Sequence, residues 1–243
     1  MRILLLSDIH ANYAALEAVI KDAGAFERVW CLGDVVGYGP DPNAVVEEVR
    51  EIKNLTCLMG NHDVAVVGRM SLDTFNGDAK RSLLYHEKVI TADNADFIKT
   101  LPNKAKVRGE ATMAHGSPRD PLWEYILNAT TASLNFEHFD TPWCFVGHSH
   151  IQSIFMRYEQ GDRVTIAHTT PDVAIQLKPK LILNPGSVGQ PRDRDPRAAY
   201  AIYDSNAQTW TPKRVMYNIP EVQERIRAAG LPEKHALRIA EGW

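Results

Sequence analysis

The chain has 243 residues, enough for one large domain or two small ones around a substantial buried core. Its 44% apolar and 23% charged content is ordinary for a globular protein, and a net charge of -3 offers no extended surface for nucleic acid. The opening apolar run, Ile3 to Leu6, is too short for a signal peptide or a membrane span, so a cytoplasmic protein without a membrane partner is expected.

The first half alternates strand-like and helix-like segments: strand 2–7, helix 13–23, strand 28–33, helix 43–52 and strand 55–59. That rhythm predicts βαβ units in a layered α/β domain, with ligand sites where strands end and loops begin. From 64 to 102 the pattern turns helical and more polar, with helices expected in DAKRSLLYHEKVI and TADNADFIKTL, and Pro102 ends the second. Strand-like runs return at 111–115, 143–147, 153–158, 163–168, 173–177, 181–183, 198–203 and 213–217, which implies a second sheet packed on the first. Pro220 and Pro232 each sit where a first helical turn would begin, so the tail reads as two short helices. No linker divides the chain. Residues 1–243 read as one domain carrying a helical, cap-like insertion over 64–102 and a helical tail over 219–243. Cys31, Cys57 and Cys144 lie inside apolar runs without C-x-x-C spacing and are expected to be free, buried thiols.

Five apolar strands end in the same manner. LLLSDIHAN runs into Asp8 and His10, CLGDVVG into Asp34, and CLMGNHD into Asn61, His62 and Asp63. TMAHGS ends at His115, and CFVGHSH at His148 and His150. Turn chemistry accounts for a glycine beside an aspartate, but not for imidazoles at strand ends again and again; five of the nine histidines fall here. An extended backbone would place Asp8 and His10, two residues apart, on one side. Gathered on one sheet edge, these residues form a pocket of nitrogen and oxygen ligands without thiolates. Such a set suits borderline divalent ions: Mn, Fe, Zn or Co.

D-x-H at 8–10, G-D-x-x-G at 33–37, G-N-H-D at 60–63, the histidine at 115 and G-H-S-H at 147–150 together resemble the signature of the calcineurin-like metallophosphoesterases. GDVVGYGPDPN, HGSPRDPLWEY and NPGSVGQPRD resemble that family's bacterial diadenosine-tetraphosphatase-like or phosphodiesterase branch, apart from Ala11 where this branch more often has glycine. The resemblance implies a four-layer αββα sandwich of two mixed sheets flanked by helices. It also implies two divalent metal ions, one held by Asp8, His10, Asp34 and His150, the other by Asp34, Asn61, His115 and His148. Asp34 would bridge them, and the pair would lower the pKa of a shared water that attacks phosphorus. His62 would donate a proton to the leaving oxygen, with Asp63 orienting its ring.

Candidate substrate contacts are Asn12, directly after the first motif, and Tyr38 and Asn43, in the loop after Asp34. Arg119 offers a guanidinium for a distal phosphate, and Trp123 and Tyr125 offer rings for a base. The charged stretch PRDRDPR at 191–197 reads as a solvated loop. The expected activity is hydrolysis of small phosphate monoesters, diesters or dinucleoside polyphosphates, with a small phosphorylated partner such as a nucleotide. The alternatives are a protein serine/threonine phosphatase, or a non-catalytic scaffold on the same fold.

Overall fold

A computed structural model describes all of the chain except residues 108–109, 159–162, 168 and 179. Its described residues form two six-stranded mixed sheets face to face, flanked by helices. The expected α/β sandwich is the fold.

The first sheet holds β1 (Arg2–Leu6), β2 (Arg28–Cys31), β3 (Leu55–Cys57), β9 (Ile175–Gln176), β11 (Ala198–Asp204) and β12 (Thr209–Val215), in the order β3-β2-β1-β11-β12-β9. The second holds β4 (Lys104–Val107), β5 (Ala111–Ala114), β6 (Trp143–Phe145), β7 (Ser153–Arg157), β8 (Val164–Ala167) and β10 (Leu181–Asn184), in the order β4-β5-β6-β10-β7-β8. In each sheet a parallel core (β3-β2-β1 and β5-β6-β10) is extended by antiparallel strands. β1 shows why the sandwich forms. Ile3 and Leu5 point between the sheets, beside Trp30, Phe145 and Tyr203, whereas Leu4 and Leu6 point into the helical layer. A strand buried on both faces needs a continuous apolar run rather than alternation, and LLL supplies it.

Helices α1 (Tyr13–Ala23), α2 (Pro42–Glu51), α3 (Asn61–Val66), α4 (Gly77–Val89), α5 (Ala92–Thr100), α7 (Ile219–Ala228) and α8 (Glu233–Glu241) contribute to the core on the first sheet's outer face. α6 (Ala129–Asn135) covers the second sheet with Ile126, Phe136 and Phe139. Helix starts follow side-chain chemistry: Asn12 caps α1 by accepting from the Ala15 amide at 3.2 Å, and Thr91 and Asn218 cap α5 and α7.

Several element boundaries differ from expectation. β9 keeps two residues of the run expected over 173–177, and β12 begins at Thr209 instead of 213. Thr209–Val215 contains Pro212, and it pairs with β11 from Thr209↔Asp204 to Val215↔Ala198. β4 and α6 were not anticipated. Of the strand expected over 163–168, β8 covers 164–167, and residue 168 lies outside the described residues. The three cysteines are free and buried, with Cys31 and Cys57 opposite one another on β2 and β3.

The reason given for the pairing of Asp8 with His10 is corrected. β1 stops at Leu6, and both residues lie beyond it in left-handed backbone, with φ of 53° and 49°. A turn, not strand alternation, brings them together. Asp34, Tyr38, His148 and His150 share that conformation, at φ between 53° and 63°.

Candidate metal centre

The motif residues meet where β1, β2, β3, β5 and β6 run out into loops. Two groups of donors result: Asp8, His10 and His150, and Asp34, His115 and His148, with the ligand atoms of each group within 4.8 Å of one another. Asp34 stands between the groups. Its Oδ2 lies 3.7 Å from His10 Nε2 and 3.3 Å from His115 Nε2. Asn61 Oδ1 lies 3.2 Å from His115 Nε2, on the second group's side.

Backbone carbonyls set the tautomers. His10 Nδ1 donates to Val36 O at 3.0 Å, His115 Nδ1 to Leu32 O at 3.0 Å, and His150 Nδ1 to Gln190 O at 2.6 Å. A carbonyl only accepts, so each of these rings turns Nε2 inward. His10 Nε2 then lies 3.0 Å from His150 Nε2, and His115 Nε2 lies 3.2 Å from His148 Nδ1. The Asp8 carboxylate spends Oδ2 on the Ser7 hydroxyl at 2.6 Å and the His148 amide at 3.0 Å, while Oδ1 is buried without a partner. Ring nitrogens face to face and an orphaned buried carboxylate oxygen are costly unless a cation sits among them. The donor set fits divalent metal.

Charge states agree with that reading. Burial pushes His10, His148 and His150 well below the usual imidazole value, so they are neutral at pH 7, the form a metal needs. Burial also raises the Asp8 carboxyl to about 6. Against its burial, His115 is raised to about 9 by the Asp34 carboxylate. That proton stands where a metal would bind, so loading the site releases it.

Glycine is required where loops cross. At Gly60, immediately before Asn61, any Cβ would collide with the Asp34 carboxylate and amide. At Gly37, with φ of 100°, it would strike the His62 ring at Nδ1. His62 is buried; its amide donates to Asp34 Oδ1 at 2.9 Å, and its ring packs against His10, Tyr38 and Phe75.

Residues 1–208 match the calcineurin-like phosphoesterase superfamily domain. The chain belongs to that family. It is 37% identical over 237 residues to an uncharacterised protein of Methanocaldococcus jannaschii, covering 95% of this chain and 94% of the relative. The crystal structure of a metallophosphoesterase from Sphaerobacter thermophilus superposes with a TM-score of 0.91 at 44% identity, covering 100% of this chain and 99% of that one. A shorter match joins 28% of this chain to 26% of a symmetrical bis(5'-nucleosyl)-tetraphosphatase of Photorhabdus laumondii, at 32% identity over 72 residues. The chain is thus a phosphoesterase, a hydrolase with two His/Asp groups able to hold metal.

Within this phosphoesterase the remaining expected residues scatter. Asp63 does not orient the His62 ring: its carboxylate accepts from the amides of Val35, Val36 and Gly60 at 3.0–3.2 Å, and His62 Nδ1 has no partner. Asp63 thereby ties the Asp34 loop to the start of α3. Asn12 caps α1 and donates to Gly189 O at 3.0 Å. Asn43 ties α2 to the α4–α5 junction, donating to Val89 O and accepting from the Thr91 amide. Arg119 is ion-paired with Glu124. Tyr38 lies at the site, its ring 4.6 Å from His10 and 4.5 Å from His62. Trp123 touches the site's edge, 6.4 Å from His148 and 5.1 Å from Phe75. Tyr125, rather than Trp123, stacks on His148, at 3.8 Å and 18°.

Three residues at the site were assigned no role there from the sequence. Arg192, in the stretch taken for a solvated loop, has its guanidinium carbon 5.6 Å from the Tyr38 ring. His86 of α4 accepts from the Gly37 amide at 3.0 Å and donates to Gly39 O at 2.8 Å. His235 of α8 packs on the other face of the cluster, 4.9 Å from Tyr38. His86 and His235 belong to no quoted motif and are brought in by tertiary packing; Arg192 lies within NPGSVGQPRD, a stretch that carried the resemblance but gave this residue no role.

Proposed function

We propose that this phosphoesterase hydrolyses small phosphate monoesters, diesters or dinucleoside polyphosphates at a centre of two divalent ions drawn from Mn, Fe, Zn and Co. One observation carries the reading: two donor groups with preset tautomers and a single carboxylate, Asp34, between them. Asp8, His10, Asp34 and His150 would hold one ion, and Asp34, Asn61, His115 and His148 the other. Ions held there would supply Lewis acidity, making a hydroxide available near neutral pH and stabilising charge on the phosphoryl oxygens.

The protein's own groups do the rest. His62 Nδ1 is pressed against Gly37, which leaves Nε2 to give a proton to the leaving oxygen or stabilise its charge. Phe75, Trp123 and Tyr125 form an apolar rim that excludes water from that exchange. The insertion over 64–102 supplies Phe75 and the His86 clamp, which supports its reading as a cap that admits small substrates. The partial match to a symmetrical tetraphosphatase and the exposed ring of Tyr125 support a nucleotide as substrate. We place the protein in the cytoplasm; among the described residues, no helix is long and apolar enough to cross a membrane.

The test is a metabolite screen with metal-depleted protein reloaded separately with each ion. It should cover mononucleotides, cyclic nucleotides, dinucleoside polyphosphates and chromogenic mono- and diesters. Metal-dependent phosphate release from at least one class is expected. No turnover with any ion, on any ester, would leave only a scaffold.

A further inference from the structure

Arg192 arrives at the candidate metal centre on a loop bonded to the donor loops on both sides. The Val188 amide donates to the Ser7 carbonyl and the Gly189 amide to the Asp8 carbonyl, each at 3.0 Å. The two backbones run so close that a Cβ at Gly189 would strike the Ile9 carbonyl. The Gln190 carbonyl accepts from His150 Nδ1 at 2.6 Å, and the Arg192 amide donates to the His150 carbonyl at 3.2 Å. The side chain then lies over Tyr38, with its guanidinium carbon 5.6 Å from that ring, and the ring itself packs on His10 and His62. The guanidinium is thus held on the side of Asp8, His10 and His150.

Held there, it is short of partners. Asp193 and Asp195, the carboxylates nearest to it in the chain, are spent on Arg214 and Arg197. Among the described residues, no carboxylate lies within ion-pair distance of Arg192. Its Nη2 donates to Gln190 Oε1 at 3.1 Å, whereas its Nε is buried with no hydrogen-bond partner. A half-buried cation with unspent donors and no counter-charge is costly unless an anion completes it. Stacking on Tyr38 occupies the flat face of the guanidinium and leaves its edge, where the N–H groups lie, for bonds in the plane.

We infer that Arg192 is a substrate-binding residue whose guanidinium takes oxygens of the phosphoryl group being cleaved, and that it favours a terminal, doubly charged phosphoryl group over a singly charged diester. The inference rests on the phosphoesterase reading above and narrows its substrate class to phosphomonoesters and chains that end in a free phosphate. The physical reason is charge. Two divalent ions set against Asp8 and Asp34 leave a positive surplus, and a fixed guanidinium beside them enlarges it. A dianion gains more from that surplus than a monoanion does. A terminal phosphoryl group also has one more unesterified oxygen than a diester, a further acceptor for the planar fork.

The test compares methylphosphonate, a dianion with three free oxygens, with dimethylphosphinate, a monoanion with two; neither has an ester bond to hydrolyse. Binding of each to the metal-loaded protein is measured by isothermal titration calorimetry, with manganese in excess and at a pH where the phosphonate is fully ionised. Arg192→Gln should lose about 10- to 100-fold of the methylphosphonate affinity, the worth of a hydrogen-bonded charge, and less than about fivefold of the phosphinate affinity. Arg192→Lys keeps the charge without the fork and should fall between. Both variants keep the backbone amide that bonds His150, so their manganese content should equal that of the wild type. Thermal melting checks that each is folded, and Arg192→Lys decides if Arg192→Gln is not. Equal losses on both anions, or no loss on either, would overturn the inference. Loss of manganese from Arg192→Gln would overturn it too, by making the side chain a prop for His150 through Gln190. Metal-dependent hydrolysis of 4-nitrophenyl phosphate by the wild type reports separately on the phosphoesterase reading.

Discussion

Asp34 carries more of the centre than any other side chain. Its Oδ2 faces both donor groups, and its Oδ1 accepts the His62 amide. Asp34→Asn keeps the shape and removes the charge between two cations. Loss of at least one metal equivalent and nearly all activity is expected by metal analysis and kinetics; two ions per chain with normal turnover would refute the bridge. The neighbours Asn61 and His62 should fail differently. Asn61→Ala removes a neutral oxygen donor, so its defect should be partly rescued by excess Mn²⁺. His62→Ala keeps the backbone amide that steadies Asp34, so both ions should stay while kcat falls about 10²- to 10⁴-fold, more for an alkyl than for a phenolic ester. Rescue of His62→Ala by metal would make it a ligand instead. At this scale the residues that gather into the two groups were legible because Asp and His recur at strand ends. Their left-handed backbone was not. Six site residues at positive φ each cost about 1–2 kcal/mol, and nothing in a side chain such as His148 or His150 announces that strain.

The site loops are held by side chains that are not themselves in the donor sets. Asp63 draws in three amides from two loops, and His86, reaching over from α4, brackets Gly37 and Gly39. Apart from the bond from the Gly60 amide to Asp63, three positions away, these links join residues 27 to 49 positions apart, which is why Asp63 was assigned only the ring-orienting role the resemblance implied and why His86 passed unnoticed. Most of the longer helices were legible, as Pro220 in the first turn of α7 shows, whereas the short α6 was not. β9 and β12 were not, because their lengths depend on what each strand finds to pair with. A pH prediction belongs here. Burial lowers His86 from 6.5 to about 4. Between those values the unfolded chain takes up a proton that the folded chain refuses. Stability from this residue is therefore complete above pH 6.5 and declines as pH falls towards 4, by at most about 3 kcal/mol. His86→Gln, able to keep one acceptor and one donor, should have a shallower loss of melting temperature over that window. An unchanged slope would mean that His86 is not buried neutral.

At the scale of the whole molecule, distant segments of the chain each present a different part of the site. The parallel strands deliver the candidate metal donors, residues 64–102 deliver His86 and Phe75, and the tail delivers His235. The tail's two helices were readable from Pro220 and Pro232, yet their destination was not, since an amphipathic face says that a helix docks and not where. α8 docks through His235, Ala236 and Ile239, all buried, while Leu237 stays 43% exposed. Ile239 and His235 line a small cavity together with His10, Asn12, Tyr38 and Gln190, so packing of the tail is continuous with the floor of the site. Ile239→Ala should therefore act twice. Truncation in a closed core costs about 2–5 kcal/mol, read as a lowered melting temperature. Loosening α8 should also let His235 retreat from Tyr38, whose ring packs on His10 and His62. That displaces binding groups and leaves the metal donors in place, so KM should rise by more than kcat falls. Leu237→Ala, on the outer face of the same helix, is the control and should change neither. If Ile239→Ala lowers the melting temperature but leaves KM at the wild-type value, measured at one fixed manganese concentration, the tail is packing alone. If instead kcat collapses with KM unchanged, the tail bears on the metal donors themselves through His10.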